Sequence, residues 1–342
     1  MLKTLQKATS TASKQWLSGA ASSSVASTVP IISAGAEEDN VYYVRNPPSY
    51  RYKEIVGQIV AQEGWDNSIY CYDLWKRAFS DKDFCLWCAI DKETEIVVGT
   101  FSLAFHRKQE QLCQWSMYYV RPEYRKFSLG RKLWDTAMEE LGNINSYCYG
   151  VESMWKKYAK HYNSDKFADW RLLTTYGKGC DMRPSNLGSV DAAIQIKPSS
   201  QVSLQAILNY DHKLTAGVNR DDYLREALNH PESMTLVATS NQSTSNIVGI
   251  CQVRQLIGKR IGISMFYADN ESIARSLLRR VLEQFPQSRG KSLADYSKIV
   301  YKTPSTNVKS LEMFSELVDN KVLQTYTLWP QFTKHALEAS IF

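Results

Sequence analysis

Residues 118–134 read YYVRPEYRKFSLGRKLW. An apolar, aromatic run of β character passes through a basic turn into a segment of helical character. A strand that enters a helix this way aims the helix's free N–H groups, and the positive end of its dipole, at the turn. That arrangement suits an anion such as a phosphate. Gly130 permits close approach of a ligand to the backbone. Arg125, Lys126, Arg131 and Lys132 add positive charge. The plain alternative is a solvated, basic helix start.

Other chemistry-bearing residues form weaker patterns. The seven cysteines are odd in number and scattered, which points to free thiols in a reducing compartment. Cys85 and Cys88 have CxxC spacing, but they lie in the strand-like run FCLWCAI, where positions three apart face opposite sides. The five histidines show no HExxH spacing, and no Gly-x-Ser-x-Gly elbow occurs. No metal is expected. Nine Trp and twenty Tyr suit an aromatic-lined pocket and suit an aromatic-rich core equally.

The elements that must position these residues come in two rounds. At ~100–200 residues per domain, 342 residues suggest two domains. No apolar run reaches the ~18 residues of a membrane span, and the net charge of +6 forms no basic stripe, so neither membrane nor nucleic acid is expected as a partner. Residues 1–40 stand apart: Lys3, Lys7 and Lys14 precede the first acid, Glu37, and Arg is absent. They read as a flexible or targeting segment, with a cytoplasmic location expected and a mitochondrial one as the alternative.

From Val41 onward, Ser49 is expected to cap a helix running to Gly64, followed by a second helix near 72–79. Strands at 84–90, 96–105 and 112–120, a helix at 129–142, a strand at 144–151 and a helix at 152–162 complete the first round. After Gly179 the order restarts: a strand at 191–196, helices from Ser203 to Leu208 and from Arg220 to His230, strands at 234–240, 247–255 and 262–268, and a helix from Asn270 to Phe285. Leu86 precedes Gly99 by the interval at which Leu236 precedes Gly249, which suggests an internal duplication.

The stretch Val120-x-Pro122-x-Tyr124-Arg125-Lys126-Phe127-Ser128-Leu129-Gly130 resembles the acetyl-CoA pyrophosphate loop, Arg/Gln-x-x-Gly-x-Gly/Ala, of the GCN5-related N-acetyltransferase (GNAT) family. Ser128 stands where that loop has its first glycine, a departure that fits if Ser128 keeps a negative φ. The resemblance covers residues 42–178. It implies that the strand before the loop splays from its neighbour and that the pantetheine arm lies in the opening, pairing around Tyr118 to Val120. Arg125, Lys126, Phe127, Ser128, Leu129, Gly130 and Arg131 would hold the pyrophosphate. YDHKLTAGVNRDDYLREAL (210–228) and FYADNESIARSLL (266–278) resemble the C-terminal domain of YitH-type tandem proteins. There the corner from strand to helix is six residues shorter and carries Asp269 and Glu271, which repel a pyrophosphate.

The expected fold is therefore α/β (α+β): two tandem GNAT-like domains, 41–180 and 181–342, each a mixed, mostly antiparallel twisted sheet flanked by helices. The resemblance implies direct attack of an amine on the thioester of acetyl-CoA in the first domain, the acceptor being a small metabolite or amino acid. Tyr158, with Tyr162 as the other candidate, would protonate the departing thiolate. Glu110 would be the base, with Glu152 and His106 as further options. A homodimer is compatible with this reading. The competing class is a non-catalytic acyl-CoA-binding or interaction protein with a decayed site.

Overall fold

The computed structural model describes residues 40–106, 112–125, 128–215, 219–241 and 243–337. The first round contains β1 (Val41–Arg45), α1 (Ser49–Glu63), α2 (Cys71–Asp83), β2 (Phe84–Asp91), β3 (Val97–His106), β4 (Leu112–Val120), α3 (Leu129–Leu141), β5 (Asn145–Gly150) and α4 (Trp155–Tyr162). Helix α1 forms because Tyr52, Ile55, Val56, Ile59 and Val60 fall on one face, all buried. It stops at Gly64, whose φ of 73° is the left-handed conformation of a helix end. Pro48, not Ser49, holds the N-cap position, and the Ser49 hydroxyl bonds the Asp73 carboxylate instead.

After β6 (Lys166–Phe167) and β7 (Leu172–Lys178), the second round contains β8 (Ile194–Pro198), α5 (Leu204–Leu214), α6 (Asp221–Leu228), β9 (Ser233–Ser240), β10 (Ser243–Leu256), β11 (Arg260–Ala268), α7 (Glu271–Gln287), β12 (Lys298–Pro304), α8 (Val308–Leu317) and β13 (Gln324–Phe332). Helix α5 runs to Leu214, past the expected Leu208. The expected turn between β9 and β10 is largely absorbed into β10, which begins at Ser243.

The strands join in a single hydrogen-bonded path, β1-β2-β3-β4-β5-β13-β7-β12-β11-β10-β9-β8, with β6 beside β13. The two halves exchange their last strands. β7, from the first half of the chain, pairs with β12. β13, from the chain's end, pairs along Trp329–Phe332 with β5 and along Gln324–Leu328 with β7. Each half's sheet is thus completed by a strand from the other half of the chain.

The duplication is visible in packing. A Cβ built on Gly99 would lie 2.8 Å from Leu133 Cδ1 and 3.1 Å from Leu129 Cδ2. One built on Gly249 would lie 2.7 Å from Leu277 Cδ1 and 3.0 Å from Ile273 Cγ2. Both glycines let the following helix lie close on the sheet. Each follows a bulge: β2–β3 pairing goes from Ile90↔Val97 to Ala89↔Gly99, and β9–β10 pairing from Thr239↔Ile247 to Ala238↔Gly249. The leucines do not correspond. Leu86 packs with Tyr52 and Ile55 on the α1 face, whereas Leu236 packs with Ile273 and Leu277 under α7. They pair with Ser102 and Cys251, so their offsets differ by one residue and a one-residue slip reverses the face.

The halves meet through α2 and α6. Leu74 and Ala78 share a buried cluster with Leu208, Leu224, Ala227 and Met265. Each fully buried Leu there contributes about 1.5–3 kcal/mol of apolar burial. Arg77 pairs with Glu226 at 2.5 Å and Arg260 with Asp66 at 2.9 Å across the same boundary.

Candidate functional site

The site begins with an interrupted ladder. Parallel strands β4 and β5 pair only at Leu112↔Asn145, Cys113↔Ser146 and Gln114↔Tyr147, although β4 continues to Val120 and β5 to Gly150. On its other edge β4 stays paired with β3, but through a bulge: Ser102 faces Ser116 and Thr100 faces Tyr119. Met117, inside the bulge, has φ 52°. A bulge bends its strand and increases its twist, which accounts for β4 leaving β5 just beyond Gln114. The parting strands open toward the start of α3.

At that start, Ser128 occupies the N-cap with φ 49° and ψ −1°. The negative φ on which the serine's fit was conditional is not observed. The corner requires the left-handed backbone that a glycine adopts freely, and Ser128 takes it at a steric cost of about 1–2 kcal/mol. The Ser128 carbonyl accepts from the amides of Arg131 and Lys132. The helix itself offers no acceptor to the amides of Leu129 and Gly130. Lys126 and Phe127 lie outside the described residues. Arg125 donates through Nε to the Val120 carbonyl at 2.9 Å and pairs through Nη2 with Glu63 at 2.5 Å. Arg131 pairs with Asp135 at 2.9 Å on the surface.

An aromatic cluster occupies the α3–α4 side of the opening. Tyr118 donates its hydroxyl to the Gly130 carbonyl at 2.9 Å, and its oxygen lies 3.2 Å from the Tyr162 hydroxyl. A Cβ on Gly130 would stand 3.1 Å from the Tyr118 hydroxyl, so the glycine is what permits this approach. The Tyr162 ring lies against Trp134 with centroids 3.9 Å apart. Tyr158 is buried, edge-on to Trp115 at 4.9 Å and near Tyr118 at 6.5 Å. Burial pushes the Tyr118 and Tyr158 phenols well above their ordinary values, so both are protonated at neutral pH.

On the opposite face of the sheet lies a cavity of about 280 Å³. Ala104 and His106 of β3, Leu112, Gln114 and Ser116 of β4, and Tyr147 and Tyr149 of β5 form its floor. Trp75 and Phe79 of α2 wall it from the first half, and Arg220 and Tyr223 wall it from the second. It straddles the last β4–β5 pair, where Tyr147 donates its hydroxyl to Gln114 Oε1 at 3.2 Å. Burial, and next the charge of Arg220, lower the His106 pKa against the opposing influence of Asp83. His106 is therefore neutral at pH 7. Glu110 lies outside the described residues, and Glu152 is an exposed residue that accepts from Trp329 Nε1 at 3.2 Å. The cavity left one trace in the sequence, the alternation of Gln114 and Ser116 with Cys113 and Trp115 along β4. Its walls come from helices with no local link to that strand.

Six of the cysteines are buried and Cys180 is exposed. All seven are free thiols, and burial pushes Cys85 and Cys88 up to about 12 on opposite faces of β2.

The second half's corner is closed by its own side chains. Asn270 caps α7 by accepting from the Ile273 amide at 3.0 Å. Asp269 accepts from the Tyr210 hydroxyl at 3.0 Å. Arg275 is held between Glu271 at 2.9 Å and Glu316 at 2.6 Å. The space matching the cavity is filled too. Five residues beyond Gly99 stands Ala104, whereas five beyond Gly249 stands Arg254, bonded to Gln252 Oε1 at 2.9 Å.

Residues 40–156 match the acetyltransferase (GNAT) family. No match was found among curated proteins. Among solved structures, a tandem GNAT protein from the clavulanic acid biosynthesis pathway is similar at TM-score 0.62 and 14% identity, covering 87% of this chain and 100% of its own. A GCN5-related N-acetyltransferase from Sphaerobacter thermophilus is similar at TM-score 0.56 and 13% identity, covering 90% of this chain and 100% of its own. At such identity these likenesses speak for the fold, and they extend over both halves. Residues 40–156 are thus a GNAT-family domain, within a chain that has the fold of a tandem GNAT protein.

Proposed function

We propose that the first half transfers an acetyl group from acetyl-CoA to the amine of a small metabolite or amino acid. The observation that carries this reading is the parting of β4 from β5 beside the start of α3. It provides a slot for a thioester arm, with the Leu129 and Gly130 amides and basic side chains at its phosphate end. The amine nitrogen attacks the thioester carbonyl, the C–S bond breaks, and the thiolate leaves. Tyr158, protonated and beside the slot, donates the proton that the thiolate takes up. The amine proton passes, directly or through water, to a base. Glu110 is the acid named by the sequence, and His106, neutral at pH 7, is the described residue suited to the role. The second half, closed at its own corner, acts as scaffold and wall, and its likeness to YitH-type domains belongs to this proposal. So do a cytoplasmic location and a free small-molecule acceptor.

A second reading rests on the Tyr118 hydroxyl, which links Gly130 to Tyr162 across the slot. If that closure is permanent, the protein is a non-catalytic relative. Two measurements separate the readings. Stabilisation by saturating acetyl-CoA in a thermal melt, with thiol release on adding amines, supports transfer. Stabilisation without thiol release from any amine favours a binder, and no stabilisation by acetyl-CoA or CoA removes both.

A further inference from the structure

The cavity on the α2 face has walls of a distinct chemistry. Six aromatic rings surround it: Trp75, Phe79, Phe84, Tyr147, Tyr149 and Tyr223. Trp75 and Phe84 stand 5.7 Å apart, Phe79 and Tyr223 6.3 Å, and Tyr147 and Tyr149 5.9 Å, centroid to centroid. Among the described residues lining it there is no carboxylate. The one permanent cation among them, Arg220, is already engaged: Nε and Nη2 bond the Asp211 carboxylate, and Nη2 bonds the Tyr267 hydroxyl.

Such walls reward an apolar or aromatic body and, among the described residues, offer a second ammonium group no carboxylate. The charged surface lies outside. A neighbouring recess of about 290 Å³ shares Phe79, His106, Arg220 and Tyr223 with the cavity and adds Arg77, Asp83, Asp222, Arg225 and Glu226. The cavity floor, with Gln114 and Ser116, reaches the point where β4 leaves β5. An amine seated there faces the slot through the sheet. The matching space in the second half is filled by Gln252 and Arg254, so the fold does not require the void.

We propose that this cavity is the acceptor site and that it selects a monoamine on an aromatic or apolar body, with Tyr223 and Arg220 of the second half forming one wall. The inference rests on the reading of the first half as an acyltransferase, but its test does not. The full chain is titrated calorimetrically with 2-phenylethylamine, hexylamine, 1,5-diaminopentane and glutamate, with and without CoA. Two variants are compared with the wild type: Ala104→Leu, which fills the void as Arg254 does, and Tyr223→Ala, which removes the second half's ring. The expected result is binding of the two monoamines at least tenfold tighter than of the diamine or glutamate. Ala104→Leu should abolish that binding and Tyr223→Ala should weaken it about tenfold, while the thermal shift with acetyl-CoA stays unchanged in both. Failure of the monoamines to bind, preference for the diamine or glutamate, or full binding by Ala104→Leu overturns the proposal. Monoamine binding without thiol release from acetyl-CoA would instead count against the transfer reading and leave the site standing.

Discussion

Acid should loosen the boundary between the halves through His230. The ring is 4% exposed and sits edge-on to Tyr70 of the first half at 5.8 Å. Its Nδ1 accepts from the Glu232 amide at 3.1 Å, so the neutral ring carries its proton on Nε2, a buried atom with no partner among the described residues. Burial first, then the positive charge of Arg254, lowers the His230 pKa from 6.5 to about 4. The unfolded chain therefore takes up a proton as pH falls through 6.5, and the folded chain does so only near 4. Stability from this group is complete above pH 6.5 and is lost progressively between 6.5 and 4. At ~1.4 kcal/mol per pH unit the loss is about 3 kcal/mol. The perturbation is His230→Asn, whose amide oxygen can still accept from Glu232 but cannot titrate. Urea midpoints of both proteins are measured from about pH 7 to about pH 4. Other titrating groups, His106 among them, affect both proteins alike, so the difference in slope isolates His230. The wild type should lose about 3 kcal/mol more than the variant over this range. Parallel curves would refute the assignment of a neutral, desolvated ring.

Three further outcomes are expected. Ser128→Gly relieves the left-handed backbone at the start of α3 and should stabilise the protein by about 0.5–1 kcal/mol, once the greater chain entropy of glycine is subtracted; a lower urea midpoint would contradict the strain. Tyr158→Phe should cut turnover about 10²–10⁴-fold while leaving the acetyl-CoA thermal shift in place, and unchanged turnover would remove Tyr158 as the acid. Ending the chain after Asn320 removes β13, which completes both sheets, so limited proteolysis should cut within residues 145–150 as well as in the second half. A truncated protein whose first half resists protease as well as the full chain does would argue that β5 needs no partner on that edge.

The amino-acid sequence alone determined the features that are local. The stripe Tyr52-Ile55-Val56-Ile59-Val60 is a helix face at any position in the fold, because helical periodicity depends only on neighbours along the chain. The order of elements through α7 followed from the same logic, except for β1, β6 and β7, which no local pattern had marked, and so did the corner at 120–130, where a strand had to meet a helix. The Gly99 and Gly249 correspondence survived because a glycine beneath a helix marks a close approach.

Tertiary structure decided everything that depends on which strand lies beside which. Nothing local marks β7 and β13 as exchanged, since two short strands about 150 residues apart pair by edge geometry, not by a pattern within either. The faces of Leu86 and Leu236 turned on a one-residue difference in register that the even spacing to each glycine concealed. Ser128 took a positive φ because the path from β4 into α3 demanded it. The aromatic cavity exists only because α2, β4, β5 and α6 converge, and their rings are at most ordinary core residues when read singly. Periodicity is written in adjacent residues, whereas a site is written in the distances between elements, and those arise only once the sheets close.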